Sequence, residues 1–129
     1  MSDKMFILKI KTMSVPRFLL HIEGAFFLIF SIFMFFYLQG NWILFVILIL
    51  APDLAMAGYF KDTKLGSIVY NIFHIYAWPV ALVILGIVLD MMILIQLALI
   101  WTAHIGMDRM LGYGLKYPTG FKDTHLKRI

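Results

Sequence analysis

The chain has 129 residues, of which 63% are hydrophobic and only 14% charged, with a mean hydropathy of +0.93. A soluble domain carries about 25% charged residues, so this balance excludes an ordinary water-soluble fold and points to a membrane protein. The net charge of +4 comes without a basic face bearing aromatic or polar readers, so nucleic acid is not an expected partner, and the absence of cysteine excludes disulfides and thiolate metal sites.

Four apolar segments follow one another along the chain, each close to the ~20 residues that a helix needs to cross a hydrocarbon core. The first covers about 16–38, "PRFLLHIEGAFFLIFSIFMFFYL". Its apolar run is too long for a signal peptide and no small-residue cleavage site follows it, so it reads as a retained span. The second covers about 42–60, "WILFVILILAPDLAMAGYF", the third about 65–89 and the fourth about 91–111. "QGN", "KDTK" and Asp90 are the only connections, and turns this short force antiparallel neighbours. The expectation is a single all-α membrane domain over 1–129: a four-helix antiparallel transmembrane bundle with a tail from 112 onward.

Orientation follows from the distribution of basic residues. Lys4, Lys9, Lys11, Arg17, Lys61, Lys64, Arg109, Lys116, Lys122, Lys127 and Arg128 all fall on the side shared by both termini and the "KDTK" turn. The other two turns carry none. Both termini are therefore expected in the cytoplasm, with Tyr37 and Trp42 at the outer interface.

Ionisable residues inside spans are costly and mark function by default. Counting inward from the span ends, Glu23, Asp53, His74 and His104 all fall about 10 Å from the cytoplasmic boundary at the helical rise. Asn71 and Asp108 lie one turn closer to it, and Arg109 adjoins Asp108. Tyr70 and His74 share a face, as do His104 and Asp108, at the i, i+4 spacing. Imidazoles and carboxylates on several helices suit zinc, iron or manganese. Asp53, His74 and His104 are the expected ligands, with Glu23 or Asp108 as a fourth ligand or as a general base. No HExxH or paired ExxH pattern supports this by spacing. The same layer also reads as a proton pathway, or as a buried network in which Arg109 neutralises Asp108. Trp78–Pro79 is expected to kink the third span, and His21 to sit solvated near the interface. The glycine-rich tail reads either as a cap contributing His125 or Asp123, or as an interfacial tail held by Lys122, Lys127 and Arg128.

The blocks "APDLAMAGY", "YNIFHIY" and "WTAHIGMDRMLGYGLKYPTGFKDTHL" resemble the signatures of a small bacterial membrane family known as domain of unknown function 4260. The resemblance implies four spans in a bacterial cytoplasmic membrane and no particular activity. Its blocks contain Asp53, Asn71, His74, His104, Asp108, Arg109 and His125.

The function expected from the residues is a membrane-embedded enzyme, metal-dependent or acid/base, acting on a lipid or amphiphile at the cytoplasmic leaflet. In outline it is similar to membrane hydrolases with His and Asp ligands on several helices. Two alternatives stand beside it: a dimeric proton-coupled transporter using Glu23, similar in length to the small multidrug exporters, and a structural or partner-binding subunit. Membrane lipids are the expected partners, with homo-oligomerisation left open.

Overall fold

A computed structural model describes residues 13–129, so Lys4, Lys9 and Lys11 lie outside the described residues. The described chain is helical, with one isolated β-bridge between Lys116 and Thr124. Helix α1 is Val15–Tyr37, α2 is Trp42–Leu48, a 3₁₀ helix covers Ala51–Phe60, and α3 is Thr63–Phe73. Then come α4, Ala77–Val88, α5, Met92–Leu111, and a short α6, His125–Arg128.

Local chemistry fixes these ends. Ser14 caps α1 by accepting from the Arg17 amide, with Pro16 in the first turn, where a missing N–H costs nothing. Asn41 and Asp62 cap α2 and α3 through the amides of Ile43 and Leu65. Gly112, at φ +94°, terminates α5, and the amide of Tyr113 returns to the Asp108 carbonyl at 2.7 Å.

Two of the long apolar stretches are not continuous α-helix. Pro52 has no amide hydrogen and its ring crowds the carbonyl four residues back. From Ala51 the chain therefore winds as 3₁₀ for ten residues, well beyond the usual three or four. The third stretch breaks at His74–Tyr76 and restarts as α4 with Pro79 in its first turn. The interruption lies a turn before the proline, because Pro79 cannot donate to the carbonyl four residues behind it.

Three stretches are long and apolar enough to cross a membrane: Val15–Tyr37, Trp42–Phe60 and Thr63–Val88. Only 17%, 11% and 17% of their most apolar windows are buried within the protein, which leaves a broad apolar exterior. Phe26, Phe33, Val46, Ile47, Leu54 and Val88 are all more than half exposed on it. A soluble monomer does not tolerate apolar surface on this scale, so the chain is built as a membrane protein. Helix α5 has 20 residues and spans the same length, but its second half carries His104, Asp108 and Arg109.

Helix α5 is also the most enclosed element. Its buried residues include Ala98, Leu99, Ile100, Ala103, His104, Ile105, Gly106, Asp108 and Arg109. Helices α1 and α4 pack on it, and α3 packs on the 3₁₀ helix. Phe35, Leu99 and Ile100 form a small apolar core toward the other end. The α1–α5 contact is backbone on backbone: a Cβ on Gly24 would lie 2.7 Å from the Gly106 carbonyl, and one on Gly106 would lie 2.7 Å from that of Gly24. Small residues permit this approach where apolar burial gives helices no driving force to associate. Gly106→Leu is therefore expected to destabilise the protein by about 1–3 kcal/mol, the usual cost of overpacking. Thermal unfolding in detergent checks this, with Ile84→Leu on the exposed face as a control expected to stay within about 0.5 kcal/mol.

Candidate metal centre

The two helix breaks and α5 meet at one point. Asp53 stands in the first turn of the 3₁₀ helix, His74 caps the C-terminus of α3, and His104 and Asp108 lie one turn apart on α5. At the first break the Asp53 amide donates to Leu50 O at 3.0 Å, which releases the Ile49 carbonyl. That carbonyl accepts from His104 Nδ1 at 2.6 Å. At the second break the His74 amide donates to Asn71 O at 3.1 Å, which releases the Tyr70 carbonyl. It accepts from His74 Nδ1 at 2.7 Å. A carbonyl can only accept, so both imidazoles carry a proton on Nδ1 and turn Nε2 inward.

Both Nε2 atoms meet two carboxylates. His74 Nε2 lies 3.2 Å from His104 Nε2, 3.3 Å from Asp53 Oδ1 and 3.4 Å from Asp108 Oδ2. His104 Nε2 lies 3.1 Å from Asp53 Oδ1 and 3.2 Å from Asp108 Oδ2. All four ligand-capable atoms fall within 4.8 Å of one another. A tetrahedral ion with N and O ligands at about 2.0–2.1 Å has ligand-to-ligand edges of about 3.3 Å. These five edges match that length, so the cluster could hold a metal ion. Among the described residues no lysine or arginine pairs with either carboxylate; their only ionic partners are the two histidines.

The surroundings hold the cluster in place. The Tyr70 ring stacks on the His74 ring at 3.7 Å between centroids, and its hydroxyl donates to Asp108 Oδ2 at 3.4 Å. Trp101 Nε1 donates to Phe73 O at 2.8 Å and Arg109 Nη2 to His74 O at 2.9 Å, so side chains of α5 satisfy the carbonyls around the second break.

The tail folds back beneath the cluster. Asn71 clamps it, accepting from the Lys116 amide at 2.7 Å and donating to the Lys116 carbonyl at 2.8 Å. The Lys116 side chain is buried and donates to Phe121 O at 2.8 Å, over the rings of Phe121 and Tyr70. Burial pushes its ammonium below the ordinary lysine value, while the charges of Asp108 and Asp53 pull it back. A cavity of about 290 Å³ lies between tail and cluster, lined by Asp53, Tyr70, Asp108, Tyr113, Lys116 and Phe121. On the apolar side, a cleft of about 240 Å³ is lined by Leu48, Pro52, Phe73, Ile100 and Trp101.

Asp53, His74, His104 and Asp108 thus come together from the sequence-derived set, and the others take different places. Glu23 is exposed on α1, beside Ile22, Phe26, Phe27 and Phe30. Its neighbour Gly24 faces α5, and successive helical residues point about 100° apart, so Glu23 turns away and α1 adds nothing to the cluster. Arg109 binds the carbonyls of His74 and Tyr113 rather than Asp108. His21 binds Met110 O at 2.9 Å. Asp123 pairs with Arg128 and Thr119, whose hydrogen bonds hold its carboxyl down to about 2. His125 accepts from the Leu115 amide at 2.8 Å. Lys116 and the role of the Tyr70 hydroxyl were not visible in the sequence; only the Tyr70–His74 spacing hinted at the latter.

The chain matches the family model described as a domain of unknown function (DUF4260) over residues 17–129 and belongs to that family. No curated protein and no solved structure matches it.

His125 generates a pH prediction. Burial, helped by the nearby Arg109 charge, pushes its pKa below the ordinary value of 6.5. The unfolded chain then binds the proton more readily, so this group's stabilisation is full above about pH 6.5 and is lost as pH falls through the folded value. Protonation also removes the acceptor of the Leu115 amide. The protection factor of that amide, its exchange rate corrected for the intrinsic pH dependence, is expected to fall between pH 7.5 and 5, and His125→Asn is expected to flatten this change.

Proposed function

We propose that this member of the DUF4260 family is a metal-dependent membrane enzyme that hydrolyses a lipid or other amphiphile at the cytoplasmic leaflet. The observation that carries this reading is the convergence of Asp53, His74, His104 and Asp108 from three separate elements, with their ligand-capable atoms within 4.8 Å of one another. A divalent ion there (zinc, iron or manganese by donor type) would supply Lewis acidity and lower the pKa of water. Asp108, with its partner Tyr70, completes the ligand set alongside the two histidines. The Asp53 side chain is 30% exposed while the other three are at most 10%, so Asp53 meets the cavity and is the group placed to take a proton from attacking water. The water oxygen would bond to the acyl carbon or phosphorus of the ester, the scissile bond would break, and the leaving oxygen would take the electron pair together with the proton collected by Asp53. The polar-edged cavity lies on one side of the cluster and the apolar cleft on the other, which suits a substrate with a head and a chain.

The membrane arrangement that goes with this reading has four spans: α1, α2 with the 3₁₀ helix, α3 with α4, and α5. They run antiparallel as one domain over 1–129, with both termini cytoplasmic, in a bacterial cytoplasmic membrane. Arg17, Lys61, Lys64 and the basic tail support it, and so do the uncharged turn at Leu38–Asn41 and the turn at Asp90. Lipids are then the partners, and homo-oligomers are compatible. A proton-coupled transporter would instead depend on Glu23, which stands apart from the cluster.

Two measurements test the proposal. Elemental analysis of detergent-purified protein is expected to give one divalent ion per chain, lost in His104→Ala and Asp108→Asn. Tyr70→Phe, which removes only a supporting hydrogen bond, is expected to weaken metal affinity about 10–100-fold. Protein without metal, and without a phenotype in these variants, would sink the enzyme reading. For topology, single cysteines at Gly120 and Gln39 in this cysteine-free chain are expected to label from opposite faces of sealed vesicles, with Gly120 on the cytoplasmic face.

A further inference from the structure

We propose that Lys116 binds the phosphate of the substrate, so that the ligand class is an anionic phosphate ester rather than a neutral headgroup. This rests on the reading of the cluster as a catalytic metal centre and specifies what the adjacent cavity receives.

The ammonium of Lys116 is buried, with the residue 6% exposed, yet among the described residues no carboxylate pairs with it. Its polar partner is a single carbonyl, that of Phe121 at 2.8 Å. Aromatic rings flank it, with centroids at 3.6 Å for Phe121 and 4.5 Å for Tyr70. A lysine head has three donors, and a buried cation without an anion is expensive. The two hydrogen bonds between Asn71 and the Lys116 backbone fix the residue at the cavity wall, although snorkelling toward water is the usual habit of lysine.

The charge balance points to an incoming anion. Asp53 and Asp108 carry two negative charges, which a divalent ion would offset. Lys116, on the wall of the same cavity, is then left unmatched, while Arg109 is turned away toward two carbonyls. Two cationic centres on one cavity suit an anion whose oxygens radiate from one atom, so that one oxygen faces the ion and another faces the ammonium. A phosphate does this more readily than a planar carboxylate, and lysine serves phosphates as a point charge. The phosphate can belong to a membrane lipid headgroup or to a soluble phosphate.

Calorimetric titration of full-length, metal-loaded protein in a zwitterionic detergent tests the assignment, using dihexanoyl phosphatidic acid and inorganic phosphate as separate probes. Lys116→Gln is expected to weaken binding at least about tenfold, the effect of one charge-assisted hydrogen bond. Metal content measured on the same samples is expected to stay unchanged. Lys116→Arg, which keeps the charge, is expected to retain most of the affinity and shows that the tail still folds. Binding of both probes supports a phosphate site open to soluble anions, and binding of the lipid alone supports a headgroup site. The proposal is overturned if neither probe binds wild-type protein, or if Lys116→Gln with normal metal content binds like wild type. Lys116-dependent binding in samples that hold no metal would leave the anion site standing and remove the metal reading.

Discussion

Everything at the centre of this protein depends on two backbone carbonyls that the helices fail to use. An uninterrupted α-helix would commit Ile49 O to the Asp53 amide and Tyr70 O to the His74 amide. Pro52 and the break at His74 prevent both. In a membrane-spanning segment a released carbonyl has no water to turn to, so it must find a donor inside the protein. Each takes the Nδ1 hydrogen of a histidine. The same bonds that satisfy the backbone therefore choose the tautomer and aim both Nε2 lone pairs at one spot. Defects in secondary structure and the orientation of the ligand-capable atoms have one physical cause.

The cluster is then an electrostatic problem with few solutions. Two carboxylates face two imidazoles, and no lysine or arginine pairs with them among the described residues. With Nδ1 already protonated, charging the rings would place two cationic Nε2–H groups 3.2 Å apart. An ion at the centre would turn both lone pairs and both carboxylates into attractions at once, whereas a proton on one ring alone would pair that ring with a carboxylate and lock the cluster by hydrogen bonds. Arg109 does not relieve the problem, because its guanidinium is engaged by the carbonyls of His74 and Tyr113.

Depth was readable in the sequence and direction was not. Helix ends fall within a residue or two of the hydrophobic boundaries, 15–37 against 16–38 and 92–111 against 91–111, because hydropathy and length are properties of the chain itself. Equal depth also singled out Asp53, His74 and His104, with Asp108 one turn away, and the fold brings these four together. Glu23 has the same depth but a different azimuth, set by which face of α1 the Gly24–Gly106 contact claims. Nothing in a linear count reports that contact. Lys116 was illegible for another reason: it lies in irregular chain, and its position comes from Asn71 forty-five residues earlier. The ten-residue 3₁₀ helix was not legible either, since a proline marks only a local interruption and the long 3₁₀ run goes with α3 packing along it.

The helix that carries three buried ionisable groups is the one most enclosed by its neighbours, and this ordering follows from the membrane. Where lipid is as apolar as the core, apolar side chains gain little by facing inward, and polar ones gain much. Thus α5 takes the centre because it carries His104, Asp108 and Arg109, while the phenylalanines of α1 other than Phe35 remain outside. Close approach at Gly24 and Gly106 lets α1 seal one flank of α5 without contributing a ligand. The other flank is the one opened by the two breaks. The cleft around Pro52, Phe73 and Trp101 and the cavity above the tail lie there, on either side of the cluster. Continuous helices in place of the 3₁₀ segment and the His74 break would have withheld both carbonyl acceptors from the histidines. The irregular backbone that orients the ligand-capable atoms is thus also backbone that lines the cleft and the cavity beside them.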